Sequence, residues 1–430
     1  MLARRRAKPS LQMLALVAAL AALAGCGSGL KTSSSAKASE TATVGSGECT
    51  RTVMSTLLSV LGRVYREGVS SERTLSAEHL IDGSGALRRA IEADSPSAAR
   101  AAAQALLKTG HMTDLRVTVG GHVLVSVGGA ALAPLQGTIK RPGGGTLATY
   151  LFSVWADKGF YDESNGIAEG LTALRLGGRS IAGSAYMAPG TLPAEGTTTR
   201  RGVEYAYASF QGQAYPSGST LGVYLLKPLS AIRKLCGASN DDTVVDTLGR
   251  VAHLIYEAEA GPRTLVQIHR VQANAPLLHA VAEESPTATR VAVEALLHHH
   301  LVRLRVISAR GRLLEDDGGP YVLAPVHAGL RLHGHTIGHI VLSIQDDEGY
   351  EKLAHRLAGL PVLMYMTLPG QSRPSLVKNS LGPGVGGLSS VPASGTFAYH
   401  GREFRVLTVQ ATAFPSGPLT IRVLIPIPYS

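Results

Sequence analysis

The sequence Glu92-Ala93-Asp94-Ser95-Pro96 recurs in the second half of the chain as Ala282-Glu283-Glu284-Ser285-Pro286. In both places the serine suits a helix N-cap and the proline suits the first helical position, so each motif predicts the start of a helix. Further matches follow in the same order on both sides of the motif. We therefore interpret residues 49–237 and 238–430 as two copies of one domain, each much longer than the roughly 20–50 residues of a solenoid repeat.

The matching segments reach from one end of each copy to the other. Leu61-Gly62-Arg63-Val64 recurs as Leu248-Gly249-Arg250-Val251, and Ala214-Tyr215-Pro216-Ser217-Gly218 recurs as Ala413-Phe414-Pro415-Ser416-Gly417. An apolar stripe at helical spacing also occurs twice, first as Val53, Leu57, Val60 and Val64, then as Val244, Leu248, Val251 and Ile255. Collinear matches of this kind do not arise by chance.

Each copy begins with helical patterns and continues with short strands. A hairpin from Thr113 to Val127 turns at Gly120-Gly121, a two-residue turn signal. Helices followed by a run of antiparallel strands predict the α+β class. We expect two tandem domains, each with a long N-terminal helix and an antiparallel sheet of about five or six strands.

The first 48 residues predict a signal peptide and a tether. Residues 1–25 combine a basic start with an apolar run too short for the ~20 residues of a spanning helix. Leu23-Ala24-Gly25-Cys26 then resembles the lipobox of bacterial lipoproteins, in which the cysteine is thioether-linked to diacylglycerol, whose acyl chains include palmitate, and becomes the new N-terminus after cleavage. This resemblance implies that Cys26 anchors the chain to the cell membrane, outside the cytoplasm. The alternative is an ordinary secretory signal with an incidental cysteine.

Residues 26–48 are mostly Ser, Ala, Thr, Gly and Lys, so they predict a flexible tether. With Cys26 committed to lipid, Cys49 and Cys236 are left as a pair in an oxidising compartment. They flank the first copy, and the two ends of a domain are often close in space. We predict a disulfide between them, with two free thiols as the alternative.

The composition excludes several classes of protein. Hydrophobic residues make up 45% and charged residues 17%, which describes a globular chain and excludes wholesale disorder. The net charge is +10, but its basic residues form no long block, so we expect no nucleic-acid partner. Three cysteines are too few for a structural zinc ribbon.

The order of helices and strands resembles the Cache family, the PAS-like extracytoplasmic sensor domains of bacteria. The residues that carry this resemblance are the hairpin Leu115–Val127, the segment Ser153–Phe160 and the turn Tyr215–Gly218, with Leu323–Val326, Val341–Asp347 and Phe414–Gly417 in the second copy. The resemblance implies a ligand pocket between the sheet and its covering loops and helix. The Arg-x-x-x-Trp-Tyr segment of the amino-acid-sensing subgroup is absent, because Trp155 lacks a following tyrosine. Amino-acid specificity is therefore not supported.

Aromatic side chains on the central strands are the candidate pocket lining. They are Tyr150, Phe152, Trp155, Tyr205 and Tyr207 in the first copy, and Tyr350, Tyr365, Tyr399 and Phe404 in the second. Pockets are mostly apolar with a few polar groups, which fits this set. The alternative for each residue is that it only packs the sheet.

Two other kinds of site are weighed and set aside. His298–His300, His333, His335 and His339 could ligate zinc or copper together with Glu315, Asp316 and Asp317. The first copy has Gly143, Gly145 and Thr149 at about the corresponding places, so surface histidines are the simpler interpretation, and we predict neither a metal site nor a cofactor. The hydrolase-like motifs Ser375–Lys378 and Lys108–Gly110 occur in the wrong order and are treated as chance, so we expect no enzyme.

The sequence therefore predicts a lipid-anchored extracytoplasmic sensor or accessory protein that binds a small molecule. Because the chain ends at Ser430 directly after the last strand, we expect the signal to pass to a separate membrane-embedded signalling or transport protein. The alternatives are a structural or transport-associated envelope lipoprotein, and a metal-binding protein that uses the C-terminal histidines.

Overall fold

The computed structural model describes residues 46–429, except for 110–111, 130, 259, 298–300, 320–321, 368–370, 383–390 and 415–416. Cys26, the signal peptide, the tether up to residue 45 and His298–His300 lie outside the described residues. None of the helices in the described part combines the length and the apolar composition that crossing a bilayer requires.

The same series of helices and strands occurs twice. The first copy contains the helices α1 (Ser46–Ser70), α2 (Glu72–Asp82), α3 (Gly85–Glu92), α4 (Pro96–Thr109) and α5 (Asp157–Ala168), and the strands β1 (Asp114–Val119), β2 (His122–Gly128), β3 (Ala131–Leu132), β4 (Leu135–Lys140), β5 (Thr146–Ser153), β6 (Trp155–Ala156), β7 (Leu171–Leu176), β8 (Arg179–Gly183), β9 (Glu195–Arg200), β10 (Val203–Tyr215) and β11 (Thr220–Pro228). A short helix α6 (Leu229–Ile232) and a 3₁₀ turn (Arg233–Leu235) lead into the second copy.

The second copy contains the helices α7 (Asn240–Ala258), α8 (Pro262–Gln272), α9 (Ala275–Ala282), α10 (Pro286–Leu297) and α11 (Asp347–Ala358), and the strands β12 (Arg303–Ser308), β13 (Leu313–Gly318), β14 (Val322–Leu323), β15 (Val326–Leu332), β16 (His335–Ser343), β17 (Gln345–Asp346), β18 (Val362–Met366), β19 (Ser375–Asn379), β20 (Gly395–Tyr399), β21 (Arg402–Ala413) and β22 (Gly417–Ile427). The repeated Ser-Pro motif starts α4 and α10 as predicted. Ser95 Oγ accepts a hydrogen bond from Ala98 N, and Ser285 Oγ accepts one from Ala288 N, each at 3.4 Å.

The strands of the two copies pair in the same order. In the first copy, β2-β1-β5-β4 form a four-stranded sheet and β6-β3-β10-β11-β7-β8 form a second sheet, in which β9 also pairs with β10. The second copy repeats both orders, as β13-β12-β16-β15 and β17-β14-β21-β22-β18-β19 with β20 on β21. The α+β class and the antiparallel pairing are confirmed. Each copy divides its strands between sheets of four and seven strands, where the sequence indicated one sheet of five or six.

The two long helices α1 and α7 pack along each other in the centre of the molecule. Leu57 and Leu61 of α1 and Leu248 of α7 are buried in one apolar cluster that also takes in the inner faces of both seven-stranded sheets. We call this cluster the central core. The helices run parallel, because their N-terminal ends meet: Asn240 Oδ1 accepts from Thr52 at 3.0 Å, and Asn240 Nδ2 donates to Glu48 at 2.6 Å. Each four-stranded sheet has an apolar cluster of its own under its short helices.

A disulfide joins the start of α1 to the end of the first copy. Cys49 and Cys236 are bonded with their Cα atoms 5.7 Å apart, across a sequence separation of 187 residues. The predicted bridge is therefore present. It fixes the place where the chain leaves the first copy and enters α7.

Candidate functional site: the sheet-junction clefts

Two clefts open where the four-stranded and seven-stranded sheets of a copy meet. The first cleft has a volume of about 350 Å³ and is lined by Pro134, Gln136, Leu151, Gln213, Pro216, Ser217 and Gly218. The second has a volume of about 370 Å³ and is lined by Tyr256, Glu257, Ala260, Ala324, Pro325 and Thr412. Volumes of this size fall within the lower range of small-molecule sites.

The two clefts occupy related positions in the two copies. Each contains the proline of an Ala-Pro corner, Pro134 or Pro325, and a residue near the end of the long strand that runs past it. The preceding alanines both have a left-handed backbone, with φ of 53° at Ala133 and 48° at Ala324. An alanine at positive φ is uncommon, so the same strained corner in both copies indicates that the surrounding structure imposes it.

A tyrosine of each long helix ties that helix to this corner. In the second copy, the hydroxyl of Tyr256 accepts from Ala324 N at 3.1 Å and from Thr412 N at 3.2 Å, and it donates to Thr412 O at 2.6 Å. In the first copy, the hydroxyl of Tyr65 accepts from Gln213 N at 2.8 Å. Burial raises the pKa of both hydroxyls, although the backbone hydrogen bonds partly offset this effect.

The sequence comparison missed these two tyrosines because one of its matches is out of register. Tyr65 and Tyr256 contact equivalent backbone positions, so they are equivalent residues of the two copies. In the same alignment Leu248 is the equivalent of Leu57 and not of Leu61. The match of Leu61-Gly62-Arg63-Val64 to Leu248-Gly249-Arg250-Val251 is therefore wrong by one helical turn. The apolar stripes already have the correct register, and extending them by one more turn would have found the tyrosine pair.

A buried carboxylate lies behind the first cleft. Asp114 is only 2% exposed, and its Oδ2 has no hydrogen-bond partner among the described residues. Burial raises the pKa of Asp114 to about 6; a hydrogen bond from Thr113 lowers it and the charge of Asp157 raises it further. Tyr215 approaches the cleft from the neighbouring strand and donates its hydroxyl to Leu151 O at 3.3 Å. Burial, and next the charge of Asp114, raise the pKa of Tyr215.

The second copy has different chemistry at the corresponding place. Arg303 donates to Asp316 Oδ1 at 2.8 Å, and Arg305 donates to Asp316 Oδ2 at 3.0 Å. Both guanidinium groups lie over the ring of Phe414, at 4.8 and 5.5 Å. Although burial opposes the ionisation of Asp316, the two arginines outweigh it and lower its pKa. The carboxylate is therefore neutralised within the second copy, whereas Asp114 has no comparable basic partner in the described structure.

The aromatic residues singled out in the sequence are spread over separate clusters. Tyr150 and Phe152 lie in the apolar cluster of the first four-stranded sheet. Tyr350 lies in the central core, and Trp155 packs against the central core from its edge. Tyr205 and Tyr207 pack on the outer face of the first seven-stranded sheet, and Tyr365, Tyr399 and Phe404 pack on that of the second. None of the nine is among the residues that line the two clefts. Their role in ligand binding stays a prediction.

Two of these aromatic residues contact the long helices through polar atoms. Trp155 Nε1 donates to Val64 O of α1 at 3.2 Å, and the hydroxyl of Tyr350 donates to Ala252 O of α7 at 3.0 Å. Tyr350 is fully buried and also meets the ring of Tyr256 edge-on at 5.9 Å. The second cleft is therefore connected to the interior of the central core through one tyrosine pair.

The described residues contain no group of three or more His, Cys, Asp or Glu side chains that could hold a metal ion. His333, His335 and His339 lie on or beside β16, and Asp316 is engaged by Arg303 and Arg305. The described residues therefore do not assemble the proposed ligand set. The part of that set formed by His298–His300 falls outside them.

Comparison with known proteins yields no family model and no curated protein that matches this chain. Among solved structures, the periplasmic domain of LuxQ from Vibrio cholerae is 15% identical, with a TM-score of 0.27, over 40% of this chain and 96% of that one. An extracellular ligand binding receptor from Desulfohalobium retbaense is 12% identical, with a TM-score of 0.19, over 41% of this chain and 40% of that one. Both TM-scores are too low to establish a common fold, so neither similarity carries an argument about function.

Proposed function

We propose that this chain is a lipid-anchored extracytoplasmic sensor that binds a small molecule at its sheet-junction clefts and signals to a separate membrane protein. In this proposal it catalyses no reaction and needs no cofactor. The observation that carries the proposal is the tyrosine of each long helix whose hydroxyl bonds the strand backbone at the cleft. A ligand that displaces this backbone changes a contact of the long helix directly.

The packing of the long helices supports such a relay. Tyr256 lines the second cleft and belongs to α7, which packs along α1 through the central core. Helix α1 begins at Ser46, so the predicted tether of residues 26–48 is shorter at its end than the sequence indicated and leads directly into α1. Well-packed interiors transmit small displacements because they have little free volume to absorb them. A displacement at either cleft is therefore transmitted to the N-terminal end of α1, which follows the anchored segment in the sequence.

The relay is tested by ligand binding and amide exchange on the full chain purified in detergent. A panel of metabolites is screened by thermal shift, where a compound at 100 times its Kd stabilises the fold by about 2.7 kcal/mol. We expect a compound that stabilises the chain to change amide exchange in α1 and α7 as well. In Tyr256→Phe or Tyr65→Phe, the exchange response of the corresponding helix should fall. Tyr186→Phe is the matched control, because Tyr186 is 68% exposed and belongs to neither long helix.

The solid packing of the predicted aromatic lining favours a second candidate, a structural or transport-associated envelope lipoprotein. Tyr150, Phe152 and Tyr350 are each at most 1% exposed, which leaves no room for a ligand beside them. If no compound in the panel shifts the unfolding temperature, and the helices exchange alike in all variants, this second candidate replaces the sensor.

Anchoring at Cys26 has its own test. In Cys26→Ser, we expect an uncleaved precursor that carries no lipid label, because the thiol that would carry the lipid is lost. The measurement is metabolic labelling with a palmitate analogue followed by fractionation. Normal processing and labelling of the variant would show that the lipobox interpretation is wrong.

A further inference from the structure

A buried arginine lies on the outer face of the first seven-stranded sheet. Arg175 of β7 is 4% exposed, and its guanidinium lies over the ring of Tyr224 on the neighbouring β11 at 5.5 Å. Its Nη2 donates to Gly178 O at 2.5 Å and to Gly190 O at 2.7 Å. Residues 184–194, which we call the covering loop, bring Ala185, Met187 and Leu192 over this face of the sheet.

The second copy has the same pair with its two members exchanged. Arg175 lies opposite Gly222 in the sheet, two residues before Tyr224, whereas Tyr365 lies opposite Thr420, two residues before Arg422. The strand that carries arginine in one copy therefore carries tyrosine in the other. The guanidinium of Arg422 again lies over the tyrosine ring, at 4.3 Å. It also donates to the carbonyl of Val391, which packs on the same face of the sheet.

Neither arginine has an acidic partner in the described structure. Arg175 Nη1 and Arg422 Nε are buried and form no hydrogen bond with the described residues, and neither side chain takes part in an ion pair there. Buried charges are ordinarily paired, because an unpaired charge or an unbonded N–H in a low-dielectric interior destabilises the fold. Two copies that have diverged at both positions have kept this uncompensated cation. A structural requirement for packing alone would be met by an apolar side chain.

We propose that the arginine–tyrosine pair in each copy is a binding site for a small carboxylate. A carboxylate accepts two parallel N–H bonds from a guanidinium, which would satisfy the unbonded Nη1 of Arg175 and supply its missing counter-charge. Such a ligand takes the place of the Gly190 carbonyl, which now accepts from Nη2. Gly190 belongs to the covering loop, so replacing its carbonyl by a ligand removes one contact that holds this loop to Arg175. This site is separate from the clefts and does not rest on the function proposed for them.

The proposal predicts that a carboxylate loosens the covering loop while it binds. The probe is acetate, compared with acetamide, its neutral isostere, and with chloride at equal ionic strength, on the full chain in detergent. We expect acetate alone to stabilise the chain and to increase amide exchange in residues 184–194. An equal response to acetamide or chloride, or no response to acetate, would overturn the proposal, and this comparison needs no variant.

Variants then assign the sites. In Arg175→Gln, the loop of residues 184–194 should exchange rapidly with or without acetate, while residues 391–394 of the second copy keep their response to acetate. In Arg422→Gln, we expect the reverse: residues 391–394 exchange rapidly with or without acetate, while residues 184–194 keep their response to acetate. Arg179→Gln on β8 is the matched control, since it removes a neighbouring charge outside the pair. If Arg175→Gln keeps the acetate response of its own loop, the site is not at Arg175.

Discussion

Asp114 combines burial with an unbonded oxygen, and its titration follows from this environment. Burial raises the pKa of Asp114 from 3.8 to about 6. Because the folded state favours the protonated acid, its contribution to stability is complete only well below pH 3.8, where both states are protonated. It is lost as the pH rises to about 6, since the unfolded chain ionises first. A shift of about two pKa units corresponds to about 3 kcal/mol.

Replacing this carboxyl group should remove most of the pH dependence between those values. We expect Asp114→Asn to approach the stability of the parent at the acid end of the range and to be more stable by about 3 kcal/mol at pH 7, because its side chain does not ionise. Urea unfolding at intervals from pH 4 to 7 measures the difference. Asp157, whose pKa burial also raises, contributes in the same direction and leaves a smaller slope in the variant. A stability difference that is independent of pH would contradict this account.

The hydroxyl groups of the two cleft tyrosines, Tyr65 and Tyr256, should also contribute to the stability of the fold. Tyr256→Phe leaves Ala324 N and Thr412 N without their acceptor, so the free energy of unfolding should fall by about 1–3 kcal/mol. Tyr65→Phe, which loses the bond from Gln213 N, should cost a similar amount. Chemical denaturation measures both, and Tyr186→Phe should be nearly neutral. Neutral results for both cleft variants would mean that water replaces the hydroxyl.

At the scale of elements, the helix α5 and its counterpart α11 end in the same way through unrelated residues. Lys227, which is 2% exposed, donates to Ala168 O at the end of α5 at 2.6 Å. The hydroxyl of Tyr429 donates to Ala358 O at the end of α11 at 2.8 Å. A helix end leaves carbonyls that need donors, and each copy supplies one from a different place in its last strand or just beyond it. The requirement is conserved between the copies while the residue is not.

The disulfide is a constraint on elements, because it ties α1 to the turn before α7. In the chain-entropy account, a closed loop of this length stabilises the fold by about 3–5 kcal/mol. We expect reduction, or Cys49→Ser with Cys236→Ser, to lower the free energy of unfolding by that order. Urea unfolding with and without reductant provides the measurement. Mass spectrometry of a non-reduced digest is the control, and alkylation of both thiols without reduction would rule out the bridge.

At the scale of the whole molecule, the two copies share one interior and exchange ion pairs across their boundary. Arg356 of α11 pairs with Glu67 of α1, and Arg250 of α7 pairs with Glu169 at the end of α5. Each long helix therefore packs against both α5 and α11, one of which belongs to the other copy. Both copies therefore pack around the same pair of helices, α1 and α7.

This shared interior predicts that the copies unfold together. Separating them would expose the apolar face of α1, including Leu57 and Leu61, together with Leu248 of α7. Burial of such side chains contributes about 1.5–3 kcal/mol each, so an isolated copy loses much of its stability. We expect calorimetry of the full chain to show one cooperative transition. Two resolved transitions, each assigned to one copy by amide exchange, would support the separate domains 49–237 and 238–430 that the sequence predicts.

The sequence determined the duplication, the α+β class, the Ser-Pro helix starts and the pairing of Cys49 with Cys236. These depend on local periodicity, capping chemistry and residue counts, which are legible without knowing what is adjacent in space. Only the tertiary structure decided the division of strands into two sheets per copy, because pairing partners such as β3 and β10 are distant in the chain. It also decided between two inconsistent alignments of α1 with α7: the stripes were aligned correctly, whereas the match of Leu61–Val64 to Leu248–Val251 was displaced by one turn. The sequence also did not reveal that the pair Arg175 and Tyr224 corresponds to the pair Tyr365 and Arg422. The two members of each pair come from different strands, and neither aligned position keeps the same residue in both copies.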